Sequence, residues 1–277
     1  MTDSGEAPTL SPLLRWAGGK RWLVNKLPSL MGMLEFPGYH EPFLGGASIF
    51  LGLRMPPRVF LSDLNAELIH TYEAIRTDPS QVARFLEKYG NSAEVYYEVR
   101  SYEPIDPFDR AARFVFLNHT SFNGIYRVNL NGVYNVPYGH RKSPQIPSED
   151  QLQAFGERLE GAVLTVADFA ESIVNVRKGD LVFLDPPYTV AHNQNGFVKY
   201  NQHLFSFEDQ RRLSVLIDRI KEKGAYYIMT NAAHPSIREL FEKNDRRIET
   251  SRRNSIGGTS ANRGSAVEYL FTNVPEA

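Results

Sequence analysis

The chain contains no cysteine, which excludes disulfides, thiolate metal sites and any covalent mechanism through a thiol. Its seven histidines show no His-Glu-x-x-His or comparable ligand spacing, so no metal ion is expected. No apolar run approaches the length needed to cross a bilayer. Residues Met1 to Ser11 are polar and lack the apolar core of a secretory signal, so a cytoplasmic protein without a membrane partner is expected. Lys and Arg number 31 against 32 Asp and Glu, so any surface for a polyanion must be local. A further absence marks such a place. Between Arg110 and Ser148 there is no Asp or Glu, while Arg113, Arg127, Arg141 and Lys142 occur there among Phe122, Tyr126, Tyr134 and Tyr138. Basic residues interleaved with aromatics, asparagines and turns suit phosphates and base edges; a merely solvated loop is the other reading.

What is present is organised around Leu181-Val182-Phe183-Leu184-Asp185-Pro186-Pro187-Tyr188. Four apolar residues without alternation predict a strand buried on both faces, and the paired prolines, which cannot donate to a ladder, must end it. Asp185 therefore stands at a strand's carboxyl end, where ligands bind in open α/β sheets. A carboxylate, backbone carbonyls and an aromatic ring in one small space suit a planar group with an exocyclic amine. The same residues also read as a strand followed by an ordinary tight turn, with Asp185 capping and Tyr188 packing.

The 277 residues allow one large domain, or one with an insert, and no internal repeat is present. Residues Leu13 to Lys20 predict a glycine-permitted loop, followed by an amphipathic helix carrying Leu23, Val24, Leu27, Leu30 and Met31, with Pro28 blurring its end. Lys20 at that helix's start is an unfavourable place for a cation unless an anion is near; a solvated lysine, and for Trp16 a surface aromatic, are the plain alternatives. The segment Tyr39 to Leu51 reads as strand, glycine turn and helix start, resembling the first βα unit of a Rossmann-like fold. The next strand, Arg58 to Ser62, ends at Asp63, about 18 residues beyond the turn, the spacing of an acid that holds ribose hydroxyls. Asp63 also reads as an N-cap for a helix over Leu64 to Arg76. From Thr77 to Glu160 helical pieces (Pro79 to Lys88, Arg110 to Leu117) replace the alternation, followed by a long loop, Asn118 to Pro147, with a small hairpin over Asn129 to Val136. Strands then resume at Ala162 to Val166, Leu181 to Leu184 and Ala225 to Thr230, with a helix over Phe207 to Lys223. Arg246 to Arg253 and Ala266 to Asn273 predict a closing antiparallel pair around the loop Ser255 to Ser265, where Arg252, Arg253 and Arg263 suit a polyanion.

Six segments, in order, match one family: Arg15-Trp16-Ala17-Gly18-Gly19-Lys20, Glu41-Pro42-Phe43-Leu44-Gly45-Gly46, Ser62-Asp63-Leu64-Asn65, Phe122-Asn123-Gly124-Ile125-Tyr126-Arg127, Asn135-Val136-Pro137-Tyr138-Gly139 and Asp185-Pro186-Pro187-Tyr188. Together they resemble the Dam-type DNA adenine-N6 methyltransferases. The resemblance implies an α/β fold: a Rossmann-like sheet with helices on both faces and a C-terminal antiparallel strand pair. The catalytic domain would be discontinuous, 11–76 and 161–274, around a mainly helical recognition domain at 77–160 with a DNA-contacting loop at 118–147. It implies S-adenosylmethionine as cofactor, held by Trp16, Lys20, Phe43, Gly45, Asp63, Asp168, Phe169 and Asp185, with Asp63 on the ribose and Phe169 against the adenine. It implies Asp185, Pro186 and Tyr188 as catalytic residues. Double-stranded DNA would be contacted by Arg15, Phe122, Asn123, Ile125, Arg127, Pro137 and Arg141, with Arg127 reading a guanine and GATC as the site. A monomer in a bacterial or phage-infected cell is the matching expectation. The glycine turn departs from the family's Phe-x-Gly-x-Gly, and Asn118-His119-Thr120-Ser121 has no clear counterpart.

The chemistry stands without the family. An adenine N6 lone pair is delocalised into the ring, so hydrogen bonds from the amine to Asp185 and the Pro186 carbonyl favour a pyramidal, nucleophilic nitrogen. N6 lies in a Watson–Crick pair, so the base must leave the duplex. The missing cysteine removes cytosine-C5 methylation. An N4-cytosine enzyme and a DNA-binding protein that no longer catalyses are the alternatives carried forward, and fold by itself does not exclude RNA or protein as substrate.

Overall fold

The computed structural model describes residues 10–129, 131–188, 205–253 and 265–276, so the loop Ser255 to Ser265 predicted to touch a polyanion lies, but for its last residue, outside the described residues. Among the described residues seven strands form one sheet of order β3-β2-β1-β4-β5-β7-β6: β1 (Gly38–Glu41), β2 (Arg58–Asp63), β3 (Val163–Val166), β4 (Leu181–Leu184), β5 (Tyr226–Ala232), β6 (Arg246–Arg253) and β7 (Ser265–Thr272). The mixed α/β class expected from sequence is what the chain adopts. Residues divide into two compact units, one of Met1–Val24, Leu44–Arg54 and Asp63–Val166, the other of Asn25–Phe43, Met55–Ser62 and Ala167–Ala277.

In the second unit β1 runs parallel to β2 and to β4, and β4 parallel to β5. The strand Leu181–Leu184 is buried at all four residues, as an unbroken apolar run between two parallel neighbours must be. With β2 on one side of β1 and β4 on the other, the strand order reverses at the β1/β4 boundary. Crevices of this kind, at the carboxyl ends of the strands, receive ligands in open α/β sheets. The predicted antiparallel closing pair is present: β6 pairs β7, and β7 also pairs β5. The helix α9 (Phe207–Glu222) starts at a capping box between Ser206 and Asp209, and buries Leu213, Leu216, Ile217 and Ile220. These pack with Val182, Leu184, Tyr227, Met229, Phe241 and Phe271 into one core.

The first unit is mainly helical. Its helices α4 (Ala66–Thr77), α5 (Pro79–Leu86), α6 (Ala93–Ser101), α7 (Pro107–Thr120) and α8 (Glu149–Arg158) each begin at a side-chain cap, supplied by Asn65, Asp78, Ser92, Asp106 and Ser148. Each cap satisfies amide groups the helix itself leaves unpaired, and Pro79 and Pro107 sit where a missing N–H costs nothing. Their apolar faces meet through Tyr72 against Phe155 and Tyr89 against Phe116.

Four expectations need correction. The helix expected from Leu23 to Met31 is two short helices, α1 (Arg21–Val24) and α2 (Leu27–Met31), because Pro28 fits only the first turn of a new helix. Asn118 to Thr120 is not the start of a loop but the buried last turn of α7. Asp63 does not cap α4; Asn65 does, accepting from the Leu68 amide. Arg113 is not part of a basic surface: its guanidinium donates to the carbonyls of Val99 and Arg100, and burial lowers its pKa.

Candidate active site

At the carboxyl end of β4 the chain leaves the sheet at Asp185. In the β4–β5 register Leu184 lies opposite Met229, which brings Thr230 opposite Asp185, and the Thr230 hydroxyl donates to Asp185 Oδ1 at 2.6 Å. Pro186 is buried and Tyr188 half-buried. The Tyr188 hydroxyl donates to Glu268 Oε2 at 2.9 Å, and burial first, then the carboxylates of Asp185 and Glu268, push its pKa well above the usual phenol range. Glu268 sits on β7 opposite Ala232 and is only 2% exposed. Asp185 and Tyr188 are thus drawn into one polar cluster whose other members, Thr230 and Glu268, sequence reasoning missed. The signal available was an acid within the otherwise apolar strand Val267 to Phe271, which a sheet interior does not hold without a partner.

Beside β1, at the same sheet end, Phe43 stacks on Phe169 at 5.3 Å with planes 24° apart, and Phe205 closes the group edge-on at 5.7 Å. Asp168 caps the 3-10 turn Phe169–Val174, accepts from the Ala170 amide and pairs with Arg212 at 2.7 Å. The Arg212 guanidinium lies 4.9 Å over the Phe169 ring. Asp168 therefore orients Phe169 through backbone and cation together. Glu41 is buried at the end of β1, where it accepts from the Tyr39 hydroxyl at 2.8 Å.

The first unit presents a second constellation. Asp63 accepts from the Gly45 amide through Oδ2 and from the Asn65 amide through Oδ1, both at 2.9 Å. Burial raises its pKa while these amides pull the other way. Gly45 has φ +47°, and a Cβ there would lie 2.8 Å from Trp16 Cδ1, so both the backbone angle and the indole require glycine. Its carbonyl accepts from the Tyr72 hydroxyl at 2.8 Å. Trp16, far from being a surface ornament, packs on this turn and stacks on Tyr126 at 5.8 Å. Lys20 is 3% exposed with its ammonium donating to the Gly18 carbonyl, which overturns the solvated reading.

The loop after α7 is pinned at its base by bonds from the Phe122 amide to the Pro137 carbonyl and from the Gly139 amide to the Thr120 carbonyl. The expected hairpin is present as a Val128–Tyr134 bridge closed by the Asn129 amide on the Val133 carbonyl. Phe122 is 52% exposed on a turn that carries Asn123 at φ 57°. Asn123, Arg127 and Pro137 are exposed too, Ile125 and Arg141 half-buried, and Tyr134 and Tyr138 buried. Arg127 Nε donates to Asn135 Oδ1 at 2.7 Å and Nη2 to the Asn135 carbonyl at 3.2 Å, which fixes the plane of the guanidinium. Arg15 exchanges two backbone bonds with the Asn118 side chain, at 2.7 and 2.8 Å, a clamp that explains why Asn118 is buried and that no sequence motif disclosed. Among the described residues no cluster of His, Asp and Glu is placed to hold a metal ion, and no helix is long and apolar enough to cross a membrane.

The family of D12 class N6 adenine-specific DNA methyltransferases matches residues 16–256. A type II methyltransferase of Lactococcus lactis subsp. cremoris is 33% identical over 275 residues, 95% of each chain. The DNA adenine methylase of Escherichia coli K12 is 34% identical over 254 residues, 89% of this chain and 90% of that one. A DNA N-6-adenine-methyltransferase of Escherichia phage P1 is 34% identical over 266 residues, 93% of this chain and 35% of that longer protein.

Proposed function

Because the chain belongs to the family of D12 class N6 adenine-specific DNA methyltransferases, we propose that it methylates N6 of an adenine flipped out of double-stranded DNA at a short site, GATC, with S-adenosylmethionine as donor. The observation that carries the reading is the cluster at the end of β4. A carboxylate held by Thr230 and an aromatic ring tethered to Glu268 stand at the strand end where the sheet order reverses. Asp185 and the Pro186 carbonyl accept the two amine hydrogens of the target base, and the Tyr188 ring lies against its face. These bonds would favour a pyramidal nitrogen whose lone pair is free to accept the methyl group that the cofactor would supply. As the N–C bond formed and the S–C bond broke, with the sulfur leaving as a neutral thioether, the positive charge developing on N6 would be met by the Asp185 carboxylate, and N6 would then release one proton to solvent.

The cofactor supplies a sulfonium-bound methyl group, and the residues present fit it. A carboxylate fixed by two backbone amides suits ribose hydroxyls, and a turn that only glycine can adopt suits close backbone approach. We assign the ribose to Asp63, the adenine ring to Phe169 with Asp168 orienting it, and the methionine end to Phe43 and Gly45. Trp16 and Lys20 complete the set. Residues 11–76 and 161–274 form the catalytic domain on this reading, and 77–160 the recognition domain. The exposed Phe122, Asn123, Arg127 and Pro137 face the duplex, with Arg15, Ile125 and Arg141 beside them. The relatives named as a type II methyltransferase and a DNA adenine methylase support a DNA-modification enzyme, with or without a nuclease partner, as the corresponding role.

Incubation with labelled S-adenosylmethionine and duplex DNA, followed by digestion to nucleosides, is expected to give N6-methyladenine. Label confined to N4-methylcytosine would replace this reading with the cytosine-amino one. Arg127→Ala is expected to relax sequence choice by about 1–3 kcal/mol at one base pair, the worth of a bidentate guanine contact. An equal loss on every sequence would make it a phosphate contact instead.

A further inference from the structure

Four side chains of three neighbouring strands form two hydrogen-bonded pairs beside the proposed reacting position: Thr230 on β5 to Asp185 after β4, and Tyr188 to Glu268 on β7. The sheet register places them on one face. Thr230 lies opposite Leu270 and Ala232 opposite Glu268, so Thr230 and Glu268, each two residues from the other's partner, project to the same side. Thr230 is fully buried and Glu268 2% exposed. A carboxyl group in a sheet interior costs stability that an apolar side chain of similar size would not, and the hydroxyl it receives belongs to a residue of the Asp-Pro-Pro-Tyr segment.

We propose that Glu268 is a positioning residue for methyl transfer: it fixes the Tyr188 ring by its hydroxyl, as Thr230 fixes the Asp185 carboxylate, so that base-stacking face and amine acceptor are set before DNA arrives. This rests on the function proposed above and extends it to two residues outside every motif. Tyr188 has only two side-chain torsions before its ring, and a bond at the far end removes the remaining swing. A ring so held is pre-organised, and its ordering is not charged to the bound state. Among the described residues, the bond that ties Glu268 to the Asp-Pro-Pro-Tyr segment is the one it accepts from Tyr188. Its effect must therefore vanish when the Tyr188 hydroxyl is gone.

That dependence gives the test. Steady-state methylation of duplex DNA is measured for wild type, Tyr188→Phe, Glu268→Leu and the double variant, with calorimetric binding of S-adenosylmethionine alongside. Each single variant is expected to lower kcat roughly tenfold, the worth of one hydrogen bond to a charged acceptor, with KM for the cofactor unchanged. The double variant is expected to be no worse than either. Losses that multiply to about a hundredfold, or an unchanged kcat in Glu268→Leu, overturn the inference. Should Glu268→Leu fail to fold, Glu268→Gln decides: a smaller loss that disappears in the Tyr188→Phe background is expected, and a loss that persists there, or no loss in either background, overturns it. A wild-type protein that leaves no N6-methyladenine in DNA removes the parent reading instead, before any variant is compared.

Discussion

The strand Leu181–Leu184 has an acid at each end, and the two are treated in opposite ways. Asp180, before the strand, is fully buried and neutralised from three directions: His40 Nε2 at 3.0 Å, Arg58 Nη2 at 2.6 Å and the Arg177 amide at 2.9 Å. Gly38 beside it has no room for a side chain, since a Cβ would lie 2.5 Å from Asp180 Oδ1. Asp185, after the strand, shares its surroundings with a second acid, Glu268, and with two hydroxyls. An acid met by a guanidinium, an imidazole and an amide serves the fold. Two acids gathered around one phenol at the carboxyl end of a parallel strand raise the cost of folding and fit a group that must receive hydrogens from outside. The same residue type, five positions apart, thus marks structure at one end and chemistry at the other.

The comparison is broken most directly by exchanging the two losses. Asp185→Ala is expected to cut turnover by about 10²–10³-fold or more, as for loss of a group that meets developing charge, while the melting temperature stays near wild type. Near-normal turnover would mean the chemistry lies elsewhere. Asp180→Ala is expected to do the reverse. Removing the acid leaves His40 and Arg58 without their shared partner and costs about 3 kcal/mol of stability in urea unfolding, yet the folded fraction keeps its kcat. Gly38→Ala sharpens the structural side further: forcing a methyl onto the Asp180 carboxylate is expected to cost about 1–3 kcal/mol, again without touching cofactor affinity.

The smallest effect is in the pH dependence. Burial, with Arg58 and Lys223 nearby, lowers the His40 pKa against the upward pull of Asp180, and burial likewise lowers that of His119, whose Nε2 lies 2.9 Å from the Leu13 carbonyl. Both histidines are therefore harder to protonate folded than unfolded. Their contribution is complete above the unfolded value of about 6.5 and is lost as pH falls through the folded value. Melting temperature is expected to decline between pH 7.5 and 5.5, with a shallower decline in His40→Gln. An identical slope in that variant would take His40 out of the account.

Much of this was legible in the chain itself. The apolar run before Asp185 had to be a buried strand, because four unbroken apolar residues stopped by two prolines have no other economical use. The spacing from the glycine turn to Asp63 was legible as that of an acid for ribose hydroxyls, but the bond it accepts from the Gly45 amide appears only in the structure, where the βα unit brings its turn beside the end of the next strand. Where proline interrupts a helical pattern, sequence warned of an uncertain end but not of a break, because a short helix survives or splits according to its packing.

The sequence by itself determined the buried strand before Asp185, the closing strand pair and the ordered motifs, because these depend on local backbone rules and on which residue types a chemistry demands. Only the tertiary structure decided that Lys20 is buried and Trp16 packed on the glycine turn, that Asn118 clamps Arg15, that Arg113 holds carbonyls rather than a polyanion, and that Thr230 and Glu268 join Asp185 and Tyr188. These partners lie between 13 and 103 residues apart along the chain. Strand register and helix packing bring them together, and neither can be read from the spacing of any motif.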